Sequence, residues 1–138
     1  MVIKVEKQGL RNLEQIRAQN AYAARDSIGK GKEGGRAVAK KVPTMIVSNG
    51  FIGALAFAIE DKGGYLTVFQ AVIDHLHKAN LNCGIVAKEP KAFLDELCGK
   101  SADTLRAITD EAMAYLNYLR RFAKPGKEEQ SHDGDSAQ

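Results

Sequence analysis

Through most of this chain apolar residues return every three or four positions, the period that places them on one side of an α-helix. From about Gln8 to Ile28, Leu10, Leu13, Ile16, Ala21, Ala24 and Ile28 share a wide arc, with Lys7, Arg11 and Arg25 opposite. Arg17 falls inside that arc, where a charge must pair, snorkel to an edge or meet a partner; snorkelling is the commonest outcome. Arg36 to Val42 reads as a short helix that Pro43 ends, because the residue before a proline is pushed out of the helical region. Val42 to Glu60, VPTMIVSNGFIGALAFAIE, breaks the periodic rule: its large apolar residues spread around the whole helical wheel. A soluble helix of that kind is a buried one. Asn49, Gly50, Gly53 and Ala56 cluster in one sector, which predicts a close helix approach there.

Glu60–Gly64 is a glycine stop, and Tyr65 to Ala79 is again amphipathic, with Leu66, Val68, Phe69, Val72, Ile73, Leu76 and Ala79 on one face. Leu81–Glu89 reads as a loop. Pro90 opens a short helix to Cys98 that Gly99 closes. From about Ala102 to Ala123 a stripe of Leu105, Ile108, Ala112, Tyr115, Leu116, Leu119 and Phe122 faces inward, and Arg106, Asp110, Asn117 and Arg121 line the far side. The expected fold is all-α: one compact bundle of about six helices around a buried central helix, spanning residues 1–123. Residues 124–138, KPGKEEQSHDGDSAQ, contain no large apolar residue and are expected to form a disordered tail.

Composition supports a single soluble domain, with 138 residues, 44% hydrophobic and 27% charged. The uninterrupted apolar run Phe51–Ile59 is well short of the roughly 20 residues a bilayer needs, so no membrane role is expected. Met1–Lys7 does not read as a signal peptide, and Cys83 and Cys98 show neither metal spacing nor a disulfide framework. A cytoplasmic protein with reduced thiols follows.

Charge changes the picture more. Residues 1–41 carry ten Lys/Arg against four acids, whereas residues 42–123 carry eight against nine and residues 124–138 two against four. A basic N-terminal third is the footprint of a polyanion partner, or else a solvated basic face. Three cations, Arg36, Lys40 and Lys41, sit just before the central helix.

Specific chemistry is harder to find. Gly29–Gly35, GKGKEGG, lacks the Lys-Ser/Thr and the preceding strand of a phosphate-binding P-loop and reads as a flexible connector. Gly50-Phe-Ile-Gly53 has the spacing of an RNA-binding GxxG loop but lies in continuous apolar sequence. His75 and His77 point roughly 160° apart on a helix and cannot chelate one ion; both read as structural residues at the edges of the buried face. Asp74, Asp110 and Glu111 all read as polar-face residues, so no tuned carboxylate is apparent. Neither catalysis, a metal, a cofactor nor a small-molecule substrate is expected.

The run KKVPTMIVSNGFIGALAFAIEDKG, together with the C-terminal NYLRRFAK, resembles the small subunit (subunit five) of the Cmr complex, the CRISPR-associated type III-B RNA-silencing machinery. The resemblance covers about Leu10–Lys124, with Phe51 and Tyr118 standing where leucine and tryptophan are more usual. It implies a non-catalytic helical subunit that stacks in several copies. Such subunits line the target-RNA groove opposite the backbone subunits that hold the guide RNA, and pack against the large subunit. The charge pattern and the resemblance together make Arg36, Lys40 and Lys41, with Arg25 and Arg17, the expected contacts to the target-RNA backbone. Asn117, Arg120 and Arg121 form a second patch, assigned to a neighbouring copy or to the large subunit.

Two other classes stay open at this stage. A free-standing helical nucleic-acid-binding protein would bind RNA or DNA as an isolated chain. A purely structural assembly protein would tolerate neutralisation of its basic third.

Overall fold

A capping box opens the first helix: the Asn12 side chain accepts from the Gln15 amide while the Gln15 side chain accepts from the Asn12 amide, both at 2.9 Å. That helix, α1, runs over Leu13–Ala24 in a computed structural model that describes residues 11–28, 34–61 and 63–125. It is followed by α2 (Gly34–Glu60), α3 (Tyr65–Lys78), α4 (Pro90–Cys98) and α5 (Ala102–Phe122). No strand occurs among the described residues, and the all-α expectation holds. Gln8–Leu10, most of the Gly29–Gly35 connector and residues 126–138 of the expected tail lie outside the described residues.

The described residues hold five helices where about six were expected, because Pro43 does not end one. The helix passes straight through it. Val38, Ala39, Val42 and Ile46 form one buried stripe across the proline. Each fully buried Val or Ile is worth about 1.5–3 kcal/mol, together more than the ~3 kcal/mol an interior proline costs. The break falls instead at Gly50, whose φ of 79° and ψ of 161° lie in a region open essentially to glycine alone. α2 is thus two helical segments joined at an exposed kink.

α2 is central, packing on α3, α4 and α5, but it is not buried on every side. Phe51, Ala54, Leu55 and Ala58 enter the core, where Phe51 meets Phe69 edge-on at 5.6 Å. Asn49, Gly50 and Gly53, expected to admit a neighbouring helix, are exposed, and so are Val47 (76%) and Phe57 (47%). An all-round apolar pattern therefore covers one core-facing side and one side that stays largely exposed, where Phe57 meets the edge of α3 at Tyr65. By length and composition Gly35–Glu60 would suffice to cross a bilayer. The non-helical Gly50 at its middle suits hydrocarbon poorly, because backbone hydrogen bonds there must close within the helix.

The remaining boundaries follow their signals. Glu89 caps α4 by accepting from the Ala92 amide, with Pro90 in the first turn, and Ser101 caps α5 by accepting from the Thr104 amide. Between α3 and α4 the chain turns through left-handed Asn80, Cys83 and Gly84, and Glu96 of α4 accepts from the Val86 and Ala87 amides to hold the loop.

Candidate nucleic-acid interface

The start of α2 is fastened to the end of α5. The first N–H groups of a helix have no intrahelical acceptor, and here the Arg36 amide donates to the Lys124 carbonyl at 3.1 Å. The Arg36 guanidinium then donates through Nε to the Ala123 carbonyl at 3.2 Å, placing a cation where a helix C-terminus favours one. Lys124 also pairs with Asp26 at 2.7 Å, so the residues just past α5 join the chain on both sides of the connector.

This junction brings together residues that the sequence assigns to separate patches. Arg36 and Lys40 of α2 and Arg120 and Arg121 of α5 line one open depression of about 480 Å³. Arg120 donates to Asn117 Oδ1 at 3.0 Å, which holds its guanidinium on this side of α5. Lys41, exposed, follows Lys40. Like charges repel by about 1 kcal/mol at 4 Å even in water, so four cations around one hollow favour an anionic occupant.

The other two candidate contacts sit elsewhere. Arg25 lies over the ring of Tyr22, 3.7 Å from its centroid, and donates to the Tyr22 carbonyl. Arg17 turns inward instead of snorkelling. Its guanidinium donates twice to Glu111 of α5, at 2.8 and 2.7 Å, and its pKa is raised by that bond. This is a correction: Glu111 is not on the polar face but buried at 8% exposure, and it takes two of the Arg17 donors, on Nε and Nη2. The same carboxylate meets His75 Nε2 at 2.9 Å, and His75 Nδ1 meets the Asn20 amide nitrogen at 2.9 Å. An amide N–H donating to Nδ1 leaves Nε2–H to donate to Glu111, so a neutral ring satisfies every atom. Burial lowers the pKa of His75 against the pull of Glu111. Burial would raise Glu111, but the bonds from Arg17 and His75 outweigh it and hold the carboxyl below its ordinary range. Tyr115 stacks on the His75 ring at 4.3 Å and closes the network.

His75 is therefore structural, as expected, but central in the core and not at its edge. His77 is half-buried and meets the Ala87 carbonyl at 2.8 Å. Among the described residues no group of three or more His, Cys, Asp or Glu could hold a metal ion. The sequence did carry a signal for Glu111: at positions 108, 111, 115 and 119 it falls on the stripe of Ile108, Tyr115 and Leu119.

The sequence model of the family described as CRISPR-associated protein (Cas_Cmr5) matches residues 13–125, from the start of α1 to just past the junction. The chain belongs to this family. Searches of the curated proteins and of the solved structures return no match. Membership in Cas_Cmr5 bears out the resemblance carried by the VPTMIVSNGFIGALAF and NYLRRFAK runs. One place in this Cas_Cmr5 protein draws on both regions: Lys40 lies just before the first run, and the second contains Arg120 and Arg121.

Proposed function

We propose that this Cas_Cmr5 protein is a non-catalytic small subunit of a type III-B Cmr complex, and that its basic depression lies along the backbone of the target RNA. The convergence of Arg36, Lys40, Arg120 and Arg121 on one hollow carries the reading. Cations on two helices, one of them pinned by carbonyls of the other, form a fixed phosphate cradle in place of a fringe of mobile lysines. Such contacts supply affinity and salt dependence without reading bases. Lys41 extends the track. The exposed apolar side of α2, with Val47 and Phe57, would pack against a further copy of this subunit or against the large subunit.

The test is target-RNA binding by reassembled complexes across a salt series. Lys40→Ala and Arg121→Ala are each expected to weaken binding and to flatten the salt dependence by roughly 0.7 in log–log slope per lost phosphate contact on a single strand. The Arg121 variant separates this reading from the sequence-level assignment, which gave that residue to a protein partner. Unchanged affinity and slope in both variants would overturn the assignment. A purely structural assembly role predicts that outcome.

A further inference from the structure

Beside the cation-lined depression stands an aromatic side chain that the phosphate reading leaves unused. Tyr22, near the end of α1, is 53% exposed, the largest exposed aromatic surface among the described residues. It is also held in place. Arg25 sits over one side of its ring at 3.7 Å, and Phe122 meets it edge-on with centroids 5.6 Å apart and planes at 89°. Arg25 is itself fixed by its bond to the Tyr22 carbonyl. Arg25 covers one face of the ring, Phe122 stands perpendicular to it, and more than half of the residue remains in solvent.

Its position matters as much as its exposure. Phe122 is followed by Ala123 and Lys124, the two residues whose carbonyls hold Arg36 at the depression. Consecutive Cα atoms are about 3.8 Å apart, so the ring contact and the cation anchor lie within about two residues of chain. A strand whose phosphates rest among Arg36, Lys40, Arg120 and Arg121 therefore passes close to an immobilised ring. Bases stack on such rings irrespective of sequence, and an adjacent arginine strengthens the site.

We propose that Tyr22, braced by Arg25 and Phe122, is a stacking platform for an unpaired RNA base, so that the subunit grips single-stranded RNA by base as well as by phosphate. The proposal rests on the phosphate reading for the path of the strand but is tested separately, on the isolated full-length chain. A uridine dodecamer and a dodecamer of the same backbone without bases are titrated at low ionic strength, and binding is followed by the NMR signals of the Tyr22 ring.

The base-bearing strand is expected to bind about tenfold more tightly than the abasic one and to shift the Tyr22 ring signals. Tyr22→Leu and Arg25→Lys, the latter keeping the charge but not the plane, are expected to bring the two strands to equal affinity. Equal affinity in the unaltered protein overturns the platform and leaves the phosphate cradle standing. Absence of binding by either strand also overturns it, while the cradle is judged in the complex. A Tyr22→Leu chain that keeps its RNA preference but no longer co-assembles with a second copy would show the ring to be a protein contact, which likewise overturns the proposal.

Discussion

Arg17 and Glu111, 94 positions apart, close on each other through two parallel bonds of 2.8 and 2.7 Å and so tie α1 to α5. The pair is asymmetric: the arginine keeps 23% of its side-chain surface, whereas the carboxylate keeps 9% and shares itself with His75. Removing one member of a buried pair strands the other, which is where the energy lies. Glu111→Ala is expected to lower stability by about 3 kcal/mol, read from the urea midpoint. Arg17→Met/Glu111→Leu together should cost far less, because no charge is then left alone. A double variant as unstable as the sum of the two single ones would show that the pair is not coupled.

The same network sets a pH dependence. In the folded chain His75 lies below the ordinary imidazole value of 6.5, so the unfolded chain binds a proton first as pH falls. Glu111 lies below its ordinary 4.5, and its contribution is present above that value and lost on further acidification. Both effects have the same sign. Stability is expected to decline from about pH 6.5 downward, by at most about 1.4 kcal/mol per pH unit for each proton involved. Denaturation at pH 7.5 and 5.5 measures it, and His75→Gln should flatten the upper part of the decline.

Gly50 and Gly53 are both exposed on α2, yet they should answer oppositely to alanine. At Gly50 no atom lies within 4 Å of an added Cβ, but φ of 79° strains any side chain, with an expected loss of about 1–3 kcal/mol. At Gly53 the backbone is helical and the nearest atom, Cβ of Asn49, is 3.4 Å away, so Gly53→Ala should stabilise by about 0.5–1 kcal/mol. Thermal unfolding of the two variants decides the matter: equal responses would mean that the kink is not a fixed feature.

Val47, 76% exposed, contributes little to the folded monomer, whereas Phe57 is only 47% exposed and its ring meets Tyr65 at 5.8 Å. Val47→Glu is expected to leave the unfolding midpoint within about 0.5 kcal/mol of the unaltered chain. The same change should sharply reduce incorporation into a reassembled Cmr complex, measured by subunit stoichiometry after size exclusion. Normal incorporation would remove this side of α2 from the assembly surface.

Periodicity made α3, α4 and α5 legible almost to the residue, because Gly64, Pro90, Gly99 and Ser101 mark ends that nothing else contests. It failed where long-range packing outvoted a local rule. Pro43 stops a helix in isolation, but Val38, Val42 and Ile46 share a core face that carries α2 through it. Gly50 looked like packing space because the wheel shows which residues share a sector, not whether a neighbour covers it. At the site, Arg36 and Lys40 were legible as cations, but their company was not: Arg120 and Arg121 join them only through carbonyls 87 positions away. Arg17 was flagged by its place in the apolar arc. Its partner was missed because one acidic residue on a stripe looks like a boundary.

That last span has a consequence for synthesis. Arg36 is synthesised 87 residues ahead of Ala123, so a nascent chain holds Arg36 and Lys40 before the wall they face exists. The depression comes into being only when α5 has been made and docked. Fragments released early in translation carry the basic sequence but not the hollow. Any ligand that needs the complete arrangement is thereby reserved for chains in which α5 has docked.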